Sequence, residues 1–453
     1  MNSQPSKWSL TKINHALRDG SLTSVELVED CINNLRPELS AYREWTPEKA
    51  IIQAQAADDA LAQAKDFGTL QGIPISVKDL YGVDGTQTFA GSPAPMPSPW
   101  QSEGDLIKAL RQQHSVFTGK THTVEFAFGG VGINSHWGTP QNPWDEHNHR
   151  APGGSSSGAG VSLCEGSALV ALGSDTAGSV RIPASVTGNV GLKTSYGRWP
   201  VTGVFPLSPT LDTTGILTRT VEDAVVAFSA IDPHQRSFGP RLTRQVAQCQ
   251  PSDFVIGIGE RSLWGGCDAI KELSQAGVRA IEATLPEITP AIELLKIGSV
   301  AAAEIDEMLE TTAPDSRDTL DPLVSSRIKE GGSISASEYL RRRRKLRSLS
   351  RAANARFETC QVIVSPTVAI TPPKVSDVQT IETYRPKNLG MLKNTCGANY
   401  LNLCAITIPI GLDNAGMPVG LQLMAKHNHD ESLLAIARCM EKILGSGASR
   451  LNS

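Results

Sequence analysis

Short strand-like runs alternate with helical patterns along most of this chain, and this alternation constrains its fold more than any other feature. The first run, Ile73–Lys78, is rich in β-branched residues and is typical of a buried strand. Further strand-like runs lie at Ser115–Gly119, Ala168–Ser174, Phe254–Ile258, Gln361–Ser365, Ile406–Ile410 and Gly420–Met424. Helical patterns separate most of them, at Asp105–Gln112, Val221–Ile231, Leu294–Leu309, Tyr339–Thr359 and Glu431–Leu444. Strands that alternate with helices predict an α/β fold, with helices on both faces of a sheet.

The domain organisation follows from the length and from the absence of linkers in the sequence. A chain of 453 residues fits one large α/β domain as well as two or three average domains. No long Gly/Ser or Pro linker and no internal repeat divides it. The first segment has helical patterns at Ser9–Leu17, after a Ser N-cap in Thr23–Glu26, and at Ala50–Ala64. We predict an N-terminal helical layer at 1–68, packed on a single compact core at 69–450.

Charge and composition exclude several classes of protein. The net charge of -4 leaves no basic footprint for nucleic acid and no reason to expect a membrane surface. The Met1–Leu10 segment has no signal-peptide pattern, and no apolar run is long enough to span a membrane. The eight cysteines are scattered without a CxxC pair. We therefore expect a cytoplasmic protein with no nucleic-acid or membrane partner, and a homodimer is an open alternative.

Two serine-rich loops, Pro152–Gly158 and Gly173–Pro183, carry the most informative pattern. One interpretation is a phosphate-binding nest, but neither GxxxxGK[ST] nor a strand leading into GxGxxG is present. A second is a G-x-S-x-G nucleophile elbow with Ser156 as the nucleophile. That motif needs an apolar strand before the turn, whereas Trp144–Pro152 is polar and ends in proline.

The third interpretation pairs both loops with the lysine that ends the first strand-like run. Here the chain resembles the amidase-signature family. The lysine segment Gly72–Asp79 follows the family pattern G-I-P-x-x-V-K-D without exception. The serine loop Gly153–Gly158 differs from GGSSGG only at Ser157, and Asp175–Pro183 differs from D-x-G-G-S-x-R-x-P only at Ala177. The resemblance extends from about residue 10 to 445, and it implies that the sheet is large and mostly mixed.

The resemblance also implies a catalytic mechanism without a metal or another cofactor. Ser179 is the expected nucleophile, Ser155 relays its proton, and Lys78 is the base. The peptide bond before Ser155 is expected to be cis, and the reaction to pass through an acyl-enzyme. The family's oxyanion hole is made of backbone N–H groups, which here belong to Thr176, Ala177, Gly178 and Ser179.

A lysine can act as a base only if its pKa is lowered. An ordinary lysine has a pKa of about 10.4 and is almost fully protonated at neutral pH. Burial disfavours the charged ammonium and lowers that pKa by up to several units. Because Lys78 follows Ile75 and Val77 in an apolar strand, we expect it to be buried in this way.

Other polar residues in these segments are expected to have structural roles. Hydrogen bonding within the loops is the favoured role for Ser156, Ser157, Asp175, Arg181, Glu125 and Asp79. His147 and His149 lack a third ligand nearby, so no metal site is predicted. The run Arg341–Arg344 is interpreted as a solvated helix face, with binding of an anionic substrate as the alternative.

The substrate is expected to be a small amide, either a carboxamide or a ureide. The resemblance places Phe128, Gly129 and a variable segment from Glu304 to Asn394 around it. The alternative function is a glutaminase-like, ammonia-producing subunit of an amidotransferase complex. Such subunits carry an Asp three residues before a Thr that matches Thr395, where this chain has Leu392.

Overall fold

The computed structural model describes residues 4–238, 241–259, 268–296 and 299–451, in which the strands form a single mixed sheet. In chain order the strands are β1 (Tyr42–Trp45), β2 (Pro74–Lys78), β3 (Val116–Thr121), β4 (Val170–Asp175), β5 (Val190–Lys193), β6 (Thr213–Thr218), β7 (Val255–Ile258), β8 (Arg279–Glu282), β9 (Val362–Pro366), β10 (Cys404–Leu412) and β11 (Pro418–Ala425). Their spatial order is β1-β3-β2-β4-β6-β5-β10-β11-β9-β7-β8. This large mixed sheet with many helices confirms the predicted α/β fold.

The sheet contains two parallel groups that antiparallel strands join. β2 runs parallel to β3 and β4, and β7 runs parallel to β8 and β9. All the other neighbours are antiparallel. Every strand predicted from the sequence is confirmed, with small shifts at its ends.

Four strands, β1, β5, β6 and β8, were not predicted. β1 and β8 are edge strands whose sequences, YREW and RAIE, are partly polar and leave no apolar run to recognise. β5 and β6 lie inside the sheet and are fully buried, although β6 reads TTGILT. Their burial comes from neighbouring strands and helices rather than from their own hydrophobicity.

The α-helices of the described residues account for most of the remaining structure. They are α1 (Leu10–Asp19), α2 (Ser24–Asn33), α3 (Pro47–Ala62), α4 (Asp105–Gln112), α5 (Ser157–Glu165), α6 (Arg181–Val186), α7 (Val221–Ile231), α8 (Pro233–Phe238), α9 (Arg241–Gln248), α10 (Ala269–Gln275), α11 (Ile288–Lys296), α12 (Val300–Thr312), α13 (Pro322–Gly332), α14 (Ala336–Ala355), α15 (Ile381–Leu392), α16 (Cys396–Tyr400), α17 (Asp430–Leu444) and α18 (Gly447–Leu451). The predictions for α4, α7, α14 and α17 are confirmed. The predicted helix Leu294–Leu309 overlaps α11 and α12, and its residues 297 and 298 lie outside the described ranges.

The N-terminal segment packs on the sheet through polar as well as apolar contacts. Thr23, rather than the predicted Ser24, caps α2: its hydroxyl accepts the Glu26 N–H at 3.1 Å, and the Glu26 carboxylate accepts the Thr23 N–H at 2.8 Å. The Ser24 hydroxyl instead donates to the Gly72 carbonyl at 2.8 Å, just before β2. This segment also supplies β1 to the sheet edge, and a boundary at residue 68 stays a prediction.

The parallel pairing of β2 and β4 brings the lysine segment and the loop that carries Ser179 together. Val77 of β2 is in register with Leu172 of β4, so both strands end at the same edge of the sheet. β2 ends there at Lys78, and β4 ends at Asp175. The serine loop enters the same region just before α5, whose Ser162 hydroxyl lies 2.9 Å from the Ser76 hydroxyl of β2. The fold therefore brings three separate sequence motifs to one place.

Candidate active site

Lys78 lies at the centre of the site with its side chain fully buried. Its Nζ lies 2.8 Å from Ser155 Oγ and 2.9 Å from Ser174 Oγ. Burial lowers the pKa of Lys78 to about 7, although the carboxylates of Asp175 and Asp212 act in the opposite direction. A large fraction of this lysine is therefore neutral near neutral pH, as a base requires.

The serine loop contacts the loop that carries Ser179. The Gly154–Ser155 peptide bond is cis, as the resemblance implied. The Ser156 N–H donates to the Ser179 carbonyl at 3.3 Å, and the Val124 N–H donates to the Ser155 carbonyl at 3.1 Å. These bonds fix Ser155 between Lys78 and the Ser179 loop.

A buried ion pair holds the loop between β4 and α6. Asp175 accepts the Gly178 N–H at 2.7 Å and the Val180 N–H at 3.1 Å. Arg181 donates to both carboxylate oxygens of Asp175, at 3.1 and 2.9 Å, and also to the Thr395 carbonyl at 2.9 Å. Burial raises the pKa of the Asp175 carboxyl, but the Arg181 guanidinium and the N–H donors outweigh it and hold the pKa well below its usual range. This carboxylate therefore stays charged and fixes the loop.

We expect Asp175→Asn to lower the free energy of unfolding by about 3–5 kcal/mol, because it leaves the buried Arg181 cation without its counter-charge. Urea denaturation at neutral pH measures the change. Asp318→Asn is the matched control: this carboxylate is exposed, so its loss should change stability by less than about 0.5 kcal/mol. Equal effects of the two substitutions would contradict the role given to the ion pair.

The predicted oxyanion-hole donors are not equivalent in this structure. The N–H of Gly178 is occupied by Asp175. Within the described ranges, the N–H groups of Thr176, Ala177 and Ser179 donate to no protein acceptor. The Thr176 hydroxyl donates to Asp212 at 2.5 Å and so restrains the start of this loop. Three backbone donors therefore remain available to a substrate oxygen.

The other motif residues have mostly structural contacts. Asp79 is buried in ion pairs with Arg43 at 2.8 Å and Lys120 at 3.0 Å. Glu125 contacts His136 at 3.1 Å and accepts the Asp321 N–H at 2.8 Å, and burial raises the pKa of Glu125 to about 8.

The hydroxyls of Ser156 and Ser157 differ in their contacts. Ser156 donates to the Ser174 carbonyl at 3.5 Å. The structural hydrogen bond predicted for Ser157 is wrong, since its buried hydroxyl has no partner among the described residues. Ser157 begins α5, where its side chain fills space without making a polar contact.

A pocket opens beside Ser179, which is only 4% exposed. The structure places the sequence-predicted Phe128 and Gly129 in its wall, together with Thr176 and Ala177. Further lining residues come from the predicted variable segment: Arg327, Glu330, Arg385, Asn388, Leu389 and Leu392. Others were not predicted: Ala127, Leu207, Leu211, Ser299, Ala301, Ala302 and Tyr400.

Arg327 is the most distinctive group in this pocket. It is 9% exposed, and its guanidinium lies 4.4 Å from the Phe128 ring centre and 5.2 Å from that of Tyr384. Its Nε donates to the Leu323 carbonyl at 2.9 Å, and its Nη2 donates to the Phe128 carbonyl. No carboxylate of the described residues forms an ion pair with it. The pocket therefore contains a nearly buried cation that no carboxylate of the described chain pairs with, although Glu330, which pairs with Arg385, lines the same pocket.

The sequence interpretation missed Ser174 and Asp212. Ser174 was recognisable, since it ends a predicted strand, and pairing that strand with the one ending at Lys78 would have brought the two side chains together. Asp212 directly precedes β6, which was not predicted. Burial raises the pKa of Asp212 to about 6, and the Leu207 and Ser208 N–H groups both donate to it at 2.9 Å.

Two further sequence expectations concern metals and membranes. Among the described residues, no group of three or more His, Cys, Asp or Glu side chains is arranged to hold a metal ion. Of the two histidines that were considered as metal ligands, His149 contacts the Thr139 carbonyl at 2.9 Å. None of the helices given above combines the length and apolar character that a bilayer crossing needs.

Comparisons with known proteins agree with this geometry. The model of the Amidase family matches residues 24–434. A 2-amino-5-chloromuconic acid deaminase from Comamonas testosteroni is 44% identical to the chain, with 96% of each protein covered. A solved structure of an amidase aligns with a TM-score of 0.86 and 26% identity, covering 97% of this chain and 100% of the other.

A second type of relative represents the alternative function. One subunit of the glutamyl-tRNA(Gln) amidotransferase from Synechococcus sp. (strain RCC307) is 31% identical, with 96% of this chain and 97% of that protein covered. The higher identity to the deaminase favours hydrolysis over the amidotransferase alternative. The chain belongs to the amidase family, and it is an enzyme that hydrolyses C–N bonds.

Proposed function

We propose that this enzyme hydrolyses a small amide through an acyl-enzyme on Ser179, with Ser155 as proton relay and Lys78 as base. One observation carries the proposal: Lys78 is fully buried, has a pKa of about 7 and lies 2.8 Å from Ser155 Oγ. A serine hydroxyl needs a base during attack, and a buried neutral lysine meets that need.

The reaction then proceeds in two halves. Ser179 Oγ attacks the carbonyl carbon while its proton passes to Ser155, and the proton of Ser155 passes to Lys78. The N–H groups of Thr176, Ala177 and Ser179 stabilise the oxyanion, and each such donor contributes about 3 kcal/mol. Lys78 returns the proton through Ser155 to the leaving nitrogen as the C–N bond breaks. Water then attacks the acyl-enzyme, and the acid leaves.

We further propose that the substrate carries a carboxylate. Arg327 supplies a cation with no ion-pair partner among the described residues, in the pocket that also contains Ser179. A nearly buried guanidinium is costly unless an anion joins it, and its donors suit a carboxylate. The name of the 44% identical deaminase describes a diacid that bears an amino group, which supports the same substrate class.

Arg327→Gln tests the carboxylate proposal. We expect kcat/KM for an amide that carries a carboxylate to fall about 10- to 100-fold, the loss expected for one charge-assisted hydrogen bond. Hydrolysis of a neutral amide of the same length should change little. Steady-state kinetics on the two substrates measure this ratio.

Arg385→Gln is the control for Arg327→Gln, because Arg385 lines the same pocket but is half-exposed and forms an ion pair with Glu330. It should cost less than the Arg327 substitution. An Arg327→Gln enzyme that slows equally on acidic and neutral amides would contradict the substrate proposal. It would not contradict the roles proposed for Ser179, Ser155 and Lys78.

Ammonia release by the protein expressed alone tests the function itself. The substrate panel contains monoamides of diacids, neutral carboxamides, ureides, an amino-substituted unsaturated diacid and glutamine. We expect turnover of at least one carboxylate-bearing compound other than glutamine by the isolated chain. Activity only on glutamine, and only with a partner protein, would support the amidotransferase alternative. Leu392 argues against that outcome, because it lines the pocket where such subunits have an acidic residue.

We propose a cytoplasmic location. The cysteines of the described residues are unpaired thiols, and several are fully buried, among them Cys31, Cys360 and Cys404. Thiols persist in a reducing compartment, whereas oxidising compartments favour disulfides.

A further inference from the structure

A groove next to the catalytic pocket is lined by several positively charged side chains. Leu211 and Tyr400 line both cavities. The groove has a volume of about 500 Å³. Arg343, Arg347 and Arg351 of α14 line it, and no acidic residue does. We refer to this feature as the arginine groove.

The three arginines form one stripe along α14. They are spaced four residues apart, so they share one face of the helix and successive members are separated by about 6 Å along the axis. Arg347 and Arg351 are exposed, and Arg343 is half-buried against the ring of Tyr339. The groove therefore presents a row of cations at a regular interval.

Unlike Arg341 and Arg342 of the same helix, these three cations have no ion-pair partner among the described residues. Arg341 and Arg342 are both paired with Glu338. In the part of the chain that the structure describes, no carboxylate forms an ion pair with any of the three groove arginines. The buried Nε of Arg343 has no hydrogen-bond partner there either. The nearby carboxylate of Glu304 is occupied by the hydroxyls of Ser208, Thr210 and Tyr339.

We infer that the arginine groove is a binding site for a short-chain dicarboxylate, separate from the catalytic pocket. The backbone positions of successive groove arginines are about 6 Å apart along the helix, so two carboxylates on a short carbon spacer can each accept hydrogen bonds from a different guanidinium. A concave groove with neutral walls and cations on one side favours a small anion that fits inside it over a large polyanion. The inference depends on the groove alone, and the proposed catalytic mechanism has no part in it.

Adipate is the probe, and hexanoate, with the same chain length and one carboxylate, is its control. We expect isothermal titration calorimetry at fixed ionic strength to show that the native chain binds adipate more tightly than hexanoate. Arg347→Gln combined with Arg351→Gln should weaken adipate binding about tenfold or more, as expected for the loss of charge-assisted hydrogen bonds. Arg327→Gln separates the groove from the catalytic pocket, and binding in the groove should survive it.

The control for the double variant is Arg344→Gln combined with Lys345→Gln, which removes the same charge from exposed positions of α14 outside the groove. It should bind adipate as the native chain does. Equal weakening in the two double variants, or equal affinity for hexanoate and adipate, would overturn the inference. Chemical modification of Arg347 by phenylglyoxal, followed by peptide mass spectrometry, provides a check without mutation: adipate should protect this residue, and the absence of protection would likewise overturn it.

Discussion

Ser179→Ala is expected to lose amide hydrolysis by on the order of 10⁴-fold or more, because it removes the atom on which we propose that the acyl-enzyme forms. Lys78 and Ser155 cannot replace it, since both are fully buried and neither lines the pocket that contains Ser179. The remaining rate reflects substrate binding and the backbone N–H donors. Ammonia release under saturating substrate measures the loss.

The fold of the Ser179 variant should be unchanged. Its hydroxyl forms no hydrogen bond with another described residue, so the substitution should alter the free energy of unfolding by less than about 1 kcal/mol. Ser157→Ala is the matched control: it removes a buried hydroxyl from the neighbouring serine-rich segment without breaking a hydrogen bond in the described structure. That control should keep its activity. Near-native turnover by Ser179→Ala would refute the nucleophile assignment.

Lys78→Arg is expected to be about as inactive as Lys78→Ala, with losses on the order of 10³-fold or more. A guanidinium stays protonated at any useful pH, so it cannot accept the proton of Ser155. Its larger head must also fit a fully buried position between Ser155 and Ser174. Steady-state rates of both variants from pH 5 to 9 test this expectation.

A second buried lysine gives the control for Lys78. Lys120 lies on the adjacent strand β3, but it faces Asp79 at 3.0 Å rather than the serines. Lys120→Arg should leave the pH midpoint of the rate unchanged. A Lys78→Arg enzyme that keeps most of its activity would show that this lysine only positions the serine loop.

The lowered pKa of Lys78 also makes the stability of the folded chain depend on pH. The pKa is about 7 in the folded chain and 10.5 for an ordinary lysine, so between these limits the unfolded chain holds a proton that the folded chain has released. Stability from this group therefore falls as pH decreases from about 10.5 towards 7 and stays low below that range. Lys78→Met should consequently be inactive and yet more resistant to urea than the native enzyme at pH 6.

Much of the candidate active site could be predicted from the sequence, because each of the three segments that form it is recognisable from a short stretch of neighbouring residues. Lys78 ends an apolar strand. Ser155 and Ser179 lie in glycine- and serine-rich loops, and the residues of each motif are consecutive in the sequence. The structure brings these residues to one edge of the sheet through the parallel pairing of β2 and β4. Two contacts of the Ser179 loop were missed: the hydrogen bond from the Gly178 N–H to Asp175, since a backbone N–H has no residue identity to recognise, and the one from the Thr176 hydroxyl to Asp212.

The substrate pocket could not be predicted to the same depth, because distant segments meet there. Arg327 belongs to α13, and its significance appears only where it stacks on Phe128, far away in the sequence. Asp212 was missed with β6, whose strand character depends on neighbours that bury it. The arginine groove could not be predicted for the same reason. The sequence shows a run of charges on a helix, but the concave wall that these charges line is formed by distant segments of the fold.

The most direct test of the mechanism uses a reagent that needs no knowledge of the substrate. A fluorophosphonate transfers its phosphonyl group to an activated serine with loss of fluoride, and intact-protein and peptide mass spectrometry locate the modification and give its rate. We predict modification of Ser179 alone, at a rate that rises with pH and levels off above about 7, the pKa of Lys78, and that is lost in Lys78→Arg. Modification of another serine, or a rate independent of pH and of Lys78, would contradict the Ser-Ser-Lys mechanism.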